Sequence, residues 1–238
     1  MGIAQAGIAF RISDSVTDME SFMAAVFEEP ATEIPLPVHA RFDIRNHSDV
    51  MVQTFGEVCF ISNDDLAWPL IRNDARDVGR LHAALGAPEL LVAFCHYDAG
   101  GNHGYAVFEQ GRRVRTRLQS SGVPGAPELV ESGTPRPFEQ RWLAARHYLE
   151  AEATATADDA RMFFLGDREV VVPGRDLTGR MLQDGLDALF GVCPWETLLT
   201  PTYRFFRLGP ERTRGDEPAA VSRARAIPAS KRPWWQFL

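Results

Sequence analysis

Apolar residues recur along this chain with two periods, and the switches between them mark out helices and strands. Val16, Met19, Phe22, Met23, Val26 and Phe27 fall on one face of a 3.6-residue helix, with Ser15 as the expected cap, Asp18 in the first turn and Pro30 barring continuation. A second helix carries Val78, Leu81, His82 and Leu85, capped by Asp74 and stopped by Gly86 and Pro88. Phe138, Trp142, Ala145 and Leu149 predict a third helix. The fourth is the best defined: Leu177, Met181, Leu182, Leu186, Leu189 and Phe190 share a face between Asp176 as cap and Gly191 as stop.

Strand signals fill the intervals. Residues 3 to 12 read as one strand, 38 to 44 alternate, and 51 to 61 form a longer apolar run through Phe55, Val58, Cys59 and Phe60. The most informative stretch is 90 to 118, which reads as three antiparallel strands: 90 to 97, a turn-rich segment at 98 to 104, then 105 to 109, a turn at Gln110 and Gly111, and 114 to 118. Residues 120 to 137 are rich in Ser, Gly and Pro and read as loop, while 168 to 172 and 203 to 208 read as short strands. Tight turns join neighbouring strands, and no strand–helix–strand unit repeats. The expected class is therefore α+β, a mostly antiparallel sheet with about four packed helices.

Residues 1 to 208 are expected to form one domain, followed by a linker at 209 to 230 without an apolar period and a basic, aromatic tail at 231 to 238, KRPWWQFL. A chain of 238 residues is long enough to bury a large core without a disulfide or a structural metal. The three cysteines, Cys59, Cys95 and Cys193, are an odd number and suit a reducing compartment. The opening segment has no basic region before its apolar residues, and Arg11 and Asp14 interrupt it, so no signal peptide or spanning helix is expected and the location expected is cytoplasmic. The formal net charge is −7 and the two ends have opposite signs: residues 1 to 65 are strongly acidic and 204 to 238 basic. An acidic total argues against a general nucleic-acid binder. Lys231 is the sole lysine against 24 arginines, which reads as codon bias rather than as phosphate recognition.

His96, Asp98 and His103 form the one compact set with metal-ligand chemistry. His96 and Asp98 stand two apart on a strand end, on one face, and the glycine-rich turn returns His103; two imidazoles and a carboxylate suit zinc or iron with open positions. Set against this, Asp98 and Asn102 shape a turn between polar strand ends. Cys95 and His96 are adjacent on a strand and point to opposite faces, so they cannot be a nucleophile and its base. Glu139, Glu150, Asp158 and Asp159 are expected on a solvated face, and Arg112, Arg113, Arg115 and Arg117 along a charged hairpin edge. Gly100, Gly101 and Gly104 lack the lysine and the helix of a phosphate loop, and no esterase elbow or zinc-protease helix is present, so no cofactor is expected.

The segment from Gly133 through Thr134, Pro135, Arg136, Pro137 and Phe138 to Glu139, behind the basic strand and ahead of the fourth helix, resembles a pattern of bacterial domains of uncharacterised role. That loose resemblance covers residues 90 to 191 and, by analogy of size, implies an immunity or adaptor protein of bacterial competition systems; it carries no catalytic residue. The leading expectation is thus a non-enzymatic bacterial interaction module that binds a protein partner through its domain face and through Trp234, Trp235, Phe237 and Arg232 of the tail, aromatics of the kind that dominate binding interfaces, with membrane-surface contact as a lesser role for the same tail. The alternative is a metal-dependent hydrolase or related enzyme using His96, Asp98 and His103.

Overall fold

Twelve strands and five helices follow one another in the computed structural model, which describes residues 4–12, 18–35, 42–73, 77–98, 101–120, 129–150, 161–166, 168 and 170–209. Strands β1 (Ala4–Arg11), β2 (Ala31–Ile34), β3 (Asp49–Phe55), β4 (Val58–Ser62), β5 (Leu90–Tyr97), β6 (Asn102–Glu109), β7 (Arg112–Ser120), β8 (Leu129–Gly133) and β12 (Thr202–Leu208) form a nine-stranded sheet in the order β2-β12-β3-β4-β1-β5-β6-β7-β8. A small sheet orders β11 (Val170–Pro173), β10 (Arg161–Leu165) and β9 (Arg146–Leu149). Every pairing among the described residues is antiparallel. The α+β class holds, with five helices where about four were expected.

The central strands are buried on both faces, which explains why they read as unbroken apolar runs. Alternate residues of β1, β4 and β5 feed two separate cores. Ala6, Ile8, Phe10, Cys59, Ile61, Leu91, Ala93 and Cys95 pack beneath α1 (Met19–Phe27), α2 (Asp64–Arg72) and α3 (Val78–Ala84). On the other face Ala9, Phe60, Val92, Phe94, Tyr105 and Val107 pack against Trp142 of α4 (Pro137–Leu143) and against Met181, Leu182, Leu186 and Phe190 of α5 (Leu177–Phe190). At the crossing of β1 and β4 only glycine fits: a Cβ on Gly7 would lie 2.2 Å from the Ile61 carbonyl oxygen.

Several sequence-based expectations change. The Asp18 carboxylate, not Ser15, caps α1 by accepting the Ser21 N–H at 3.0 Å, and Asp77, not Asp74, caps α3 by accepting that of Arg80 at 3.1 Å; Ser15 and Asp74 lie outside the described residues. The run from 51 to 61 is a hairpin, broken at Gly56 with φ +61°, because two short strands of one apolar stretch differ from one long strand only in that turn. Of the strand expected at 38 to 44, residues 38 to 41 lie outside the described set and Phe42 to Ile44 are not strand. Asn63 caps the unexpected α2, whose Pro69 sits inside the helix. The third helix stops at Leu143, and the spacing of Ala145 and Leu149 is coincidental, since Leu149 belongs to β9. Part of the expected 120–137 loop is β8, which pairs with β7. The linker and tail, with Trp234, Trp235, Phe237 and Arg232, lie outside the described residues. No helix among the described residues is long and apolar enough to cross a membrane.

The largest correction concerns charge. The arginine strand is not an edge: β7 runs between β6 and β8, and Arg115 and Arg117 are 2% and 4% exposed. Glu139 is wholly buried rather than solvated. Arg115 donates from Nε to both Glu139 oxygens at 3.0 Å and from Nη2 to Glu131 at 2.5 Å, while Arg117 reaches Glu131 from Nη1 at 2.5 Å and the Thr178 hydroxyl from Nε at 2.9 Å. Glu139 also accepts the Arg136 N–H at 3.1 Å and so caps α4. Removing one partner of a buried ion pair strands the other, at about 3–5 kcal/mol, whereas replacing both with apolar groups of similar volume is often neutral. Glu139→Ala is therefore expected to lower stability by about that amount in urea denaturation, and Arg115→Met with Glu139→Leu to recover most of it. A single variant as stable as wild type would contradict the pairing.

Candidate functional site

The β5–β6 hairpin places His96 directly opposite His103. The same cross-strand row continues to Gln5 on β1 and Gln119 on β7, so a polar line crosses the sheet beyond the apolar core. Helix α5 is fastened over this line. Gln119 donates to the Gly174 carbonyl at 2.8 Å and accepts the Thr178 N–H at 3.2 Å, and Thr178 is also held by Arg117. Gly179, one residue on, lets the helix settle against the His103 ring: a Cβ there would stand 3.0 Å from its Cγ and Nδ1. Trp195 stacks on His96 with ring centroids 4.7 Å apart and planes inclined by 7°.

Both imidazoles are buried and face each other, Nδ1 to Nδ1, at 3.1 Å. Each turns its other nitrogen to a carboxylate: His96 Nε2 is 2.9 Å from Asp98 Oδ1, and His103 Nε2 is 4.0 Å from Asp176 Oδ1. Burial pushes His96 down to about 4, the facing His103 acting the same way against the pull of Asp98 and Asp176. Burial likewise pushes His103 down to about 4, against Asp98. Both rings are neutral near pH 7, and a neutral imidazole has one donor and one acceptor. The protons can then be counted. One tautomer pair fits these distances: Nε2–H of His96 towards Asp98 and Nδ1–H of His103 towards Nδ1 of His96, which leaves Nε2 of His103 without its proton at the 4.0 Å gap to Asp176. Burial lifts the Asp176 carboxyl above its ordinary value, opposed by Arg175 and reinforced by Asp98.

The two histidines and both aspartates line a pocket of 280 Å³. Its remaining wall is Val171, Val172 and Pro173 of β11 with Gly179, Arg180 and Gln183 of α5. His96, Asp98 and His103, singled out in the sequence, are thus brought together, each offering a ligand atom within 4.8 Å of the others. Asp176, Arg180 and Gln183 were not anticipated as site residues, and Asp176 was read only as a cap. Their signal was present as polar positions at i, i+4 and i+7, off the apolar face of the best-defined helix.

The cysteines lie apart from this chemistry. Cys95 points into the core under α2, opposite His96, as strand alternation requires. Burial pushes the thiols of Cys59 and Cys193 up to about 12 and that of Cys95 further, so none is a ready thiolate. Comparisons of the chain with protein-family models, curated proteins and solved structures find no match.

The neutral pair carries a pH signature. An unfolded histidine takes up a proton near 6.5, the folded ones only near 4, so between these values the unfolded state binds more protons and stability rises with pH. In chelator-containing buffer the denaturation midpoint should fall as pH drops from 6.5 to 4, and fall less steeply in the double variant His96→Gln, His103→Gln. Equal slopes would mean that the folded chain does not hold these rings neutral.

Proposed function

We propose that the chain is a metal-dependent enzyme of hydrolytic type, holding one divalent ion of the zinc class between Nδ1 of His96 and Nδ1 of His103. One observation carries this reading: two buried, neutral imidazoles turn the same nitrogen towards each other at 3.1 Å while each outer nitrogen faces a carboxylate. A tetrahedral ion with bonds of about 2.0–2.1 Å sets its ligands about 3.3 Å apart, close to that separation. A ligating histidine commonly donates its other N–H to a carboxylate. The proton count points the same way. With an ion in the middle gap, each ring would carry its proton on Nε2, that of His103 having moved there from Nδ1, and the gap to Asp176 would gain a donor. Asp98 is then an orienting carboxylate, not the third ligand expected from sequence spacing.

Two protein nitrogens would hold the ion and would leave its other positions for water and substrate. A bound divalent ion brings water to a pKa near 7 and polarises a carbonyl or phosphoryl oxygen. Water attacking the carbonyl carbon or phosphorus would give up its proton to Asp176, a carboxylate on the same pocket lining, which would return it to the leaving group as that departs with the bonding pair. The other reading, an interaction module docking through Trp234, Trp235, Phe237 and Arg232, rests on the sequence alone.

The test is metal content. After loading with Zn²⁺ and removal of excess, mass spectrometry of the metal and calorimetry are expected to give one ion per chain for wild type and none for His96→Ala with His103→Ala. Asp98→Asn should weaken binding by about 10–100-fold, as loss of an orienting carboxylate does. Gly179→Ala, which presses on His103 without removing a ligand, should also weaken it. Zinc at full stoichiometry in the double histidine variant, or none in wild type, would defeat the reading.

A further inference from the structure

Asp176, just ahead of α5, and Gly179, Arg180 and Gln183 within it stand at i, i+3, i+4 and i+7, so one face of the helix start forms a wall of the pocket. Arg180 is the sole cationic side chain on that lining. It is held in place: Nη2 lies 3.2 Å from Asp184 Oδ1, and Asp184 is fixed in turn by the Trp142 indole N–H at 2.5 Å and the Arg141 Nε at 3.1 Å. It is also under-used. A guanidinium has five N–H donors, and Arg180 Nε is buried without a hydrogen-bond partner among the described residues. Solvent does not reach Nε, so a ligand engages the terminal nitrogens, on a side chain that keeps 34% exposure. An oriented, part-exposed guanidinium on the wall of a cavity suits a planar or tetrahedral anion.

Charge decides what the pocket accepts. Asp98, Asp176 and Arg180 leave it one negative charge; a divalent ion on the histidines turns that into one positive charge. A ligand anion is then drawn to the side where the ion has open positions, and Gln183, one turn along α5, adds a neutral donor and acceptor to the wall. The volume of 280 Å³ admits a small molecule or the end of a larger one.

We propose that the pocket receives a small anionic ligand whose carboxylate or phosphoryl group bridges the ion on His96 and His103 and the guanidinium of Arg180. This rests on the metal reading above and extends it to a substrate class.

Calorimetry on the zinc-loaded full chain tests it, with inorganic phosphate and acetate as probes and with zinc content and thermal midpoint measured on the same samples. Wild type should bind at least one of the two anions. Arg180→Ala should weaken that binding by about tenfold or more while keeping one zinc per chain, and Arg180→Lys, which keeps the charge but loses the planar fork, should fall between. Arg80→Ala, which removes a positive charge far from the pocket, should leave it unchanged. Tighter phosphate identifies a phosphoryl ligand and tighter acetate a carboxylate. Equal anion affinity in wild type and Arg180→Ala, an equal loss in Arg80→Ala, or no binding of either anion to zinc-loaded wild type overturns the inference while the metal reading stands. Wild type without zinc overturns both, and the metal measurement separates the two failures.

Discussion

Two arginines buried on one strand determine where everything on the pocket side must sit. A charge taken out of water costs several kcal/mol unless it is paired and hydrogen-bonded. Arg115 and Arg117 meet that demand by drawing Glu139 from α4, Glu131 from β8 and Thr178 from α5 onto β7. Each partner has a second duty. Glu139 caps its own helix, Glu131 serves both arginines, and Thr178 brings the start of α5 within reach of Gln119. Once Thr178 is placed, Gly179 lies on His103 and Asp176 faces its outer nitrogen. The pocket therefore depends on a chain of contacts running from the arginines through Thr178 to His103, though no arginine of β7 lines it.

The sequence was most legible where local pattern and tertiary role agree. The β5–β7 meander is long, its turns are marked by glycine, and its apolar content matches burial on both faces, so its three strands were readable, although β6 begins at Asn102 and carries His103 on the strand rather than in the turn expected at 98 to 104. Helix α5 was readable for the same reason. Long-range pairing was not. Nothing local distinguishes Glu139, bonded to an arginine 24 residues earlier, from an acid on a solvated helix face, and the arginines of β7 resemble the charged edge they are not. Strand β8, exposed along its length, has no burial pattern to read, and Pro69 with the acids Asp64 and Asp65 hid α2 behind local signals of a break. Asp176 and Arg180 could be placed at a helix but not on a pocket, because the opposite wall comes from β11, the one strand of the small three-stranded sheet that was expected.

The end of β5 shows how alternation divides chemistry between the two faces. His96 turns to α5 and pairs with Asp98, while its neighbour Tyr97 turns to α2, gives its hydroxyl proton to Asp64 at 2.5 Å and stacks on Trp68. Both faces become polar at the same level of the sheet, where the apolar layers end. The environments differ in kind. Burial lifts Asp64 to about 6, with the Tyr97 bond opposing, and the pair is enclosed by a helix start. His96 opens on a cavity instead.

That difference separates an enclosed polar pair from one that lines a pocket. Tyr97 and Asp64 are complementary as they stand, one donor to one acceptor, and need nothing from outside. In the row of Asp98, His96, His103 and Asp176 two neutral rings carry two protons for three gaps, between carboxylates that are part-exposed on the pocket. In the metal reading proposed above, a cation in the middle gap would take the place of one proton and let the two remaining ones face the carboxylates. The mismatch lies where Gly179 leaves a close fit against the ring and where the wall turns from apolar to charged. Two buried imidazoles between part-exposed carboxylates, with an arginine on the same pocket lining, are the groups that the metal and the anion proposed above would use together.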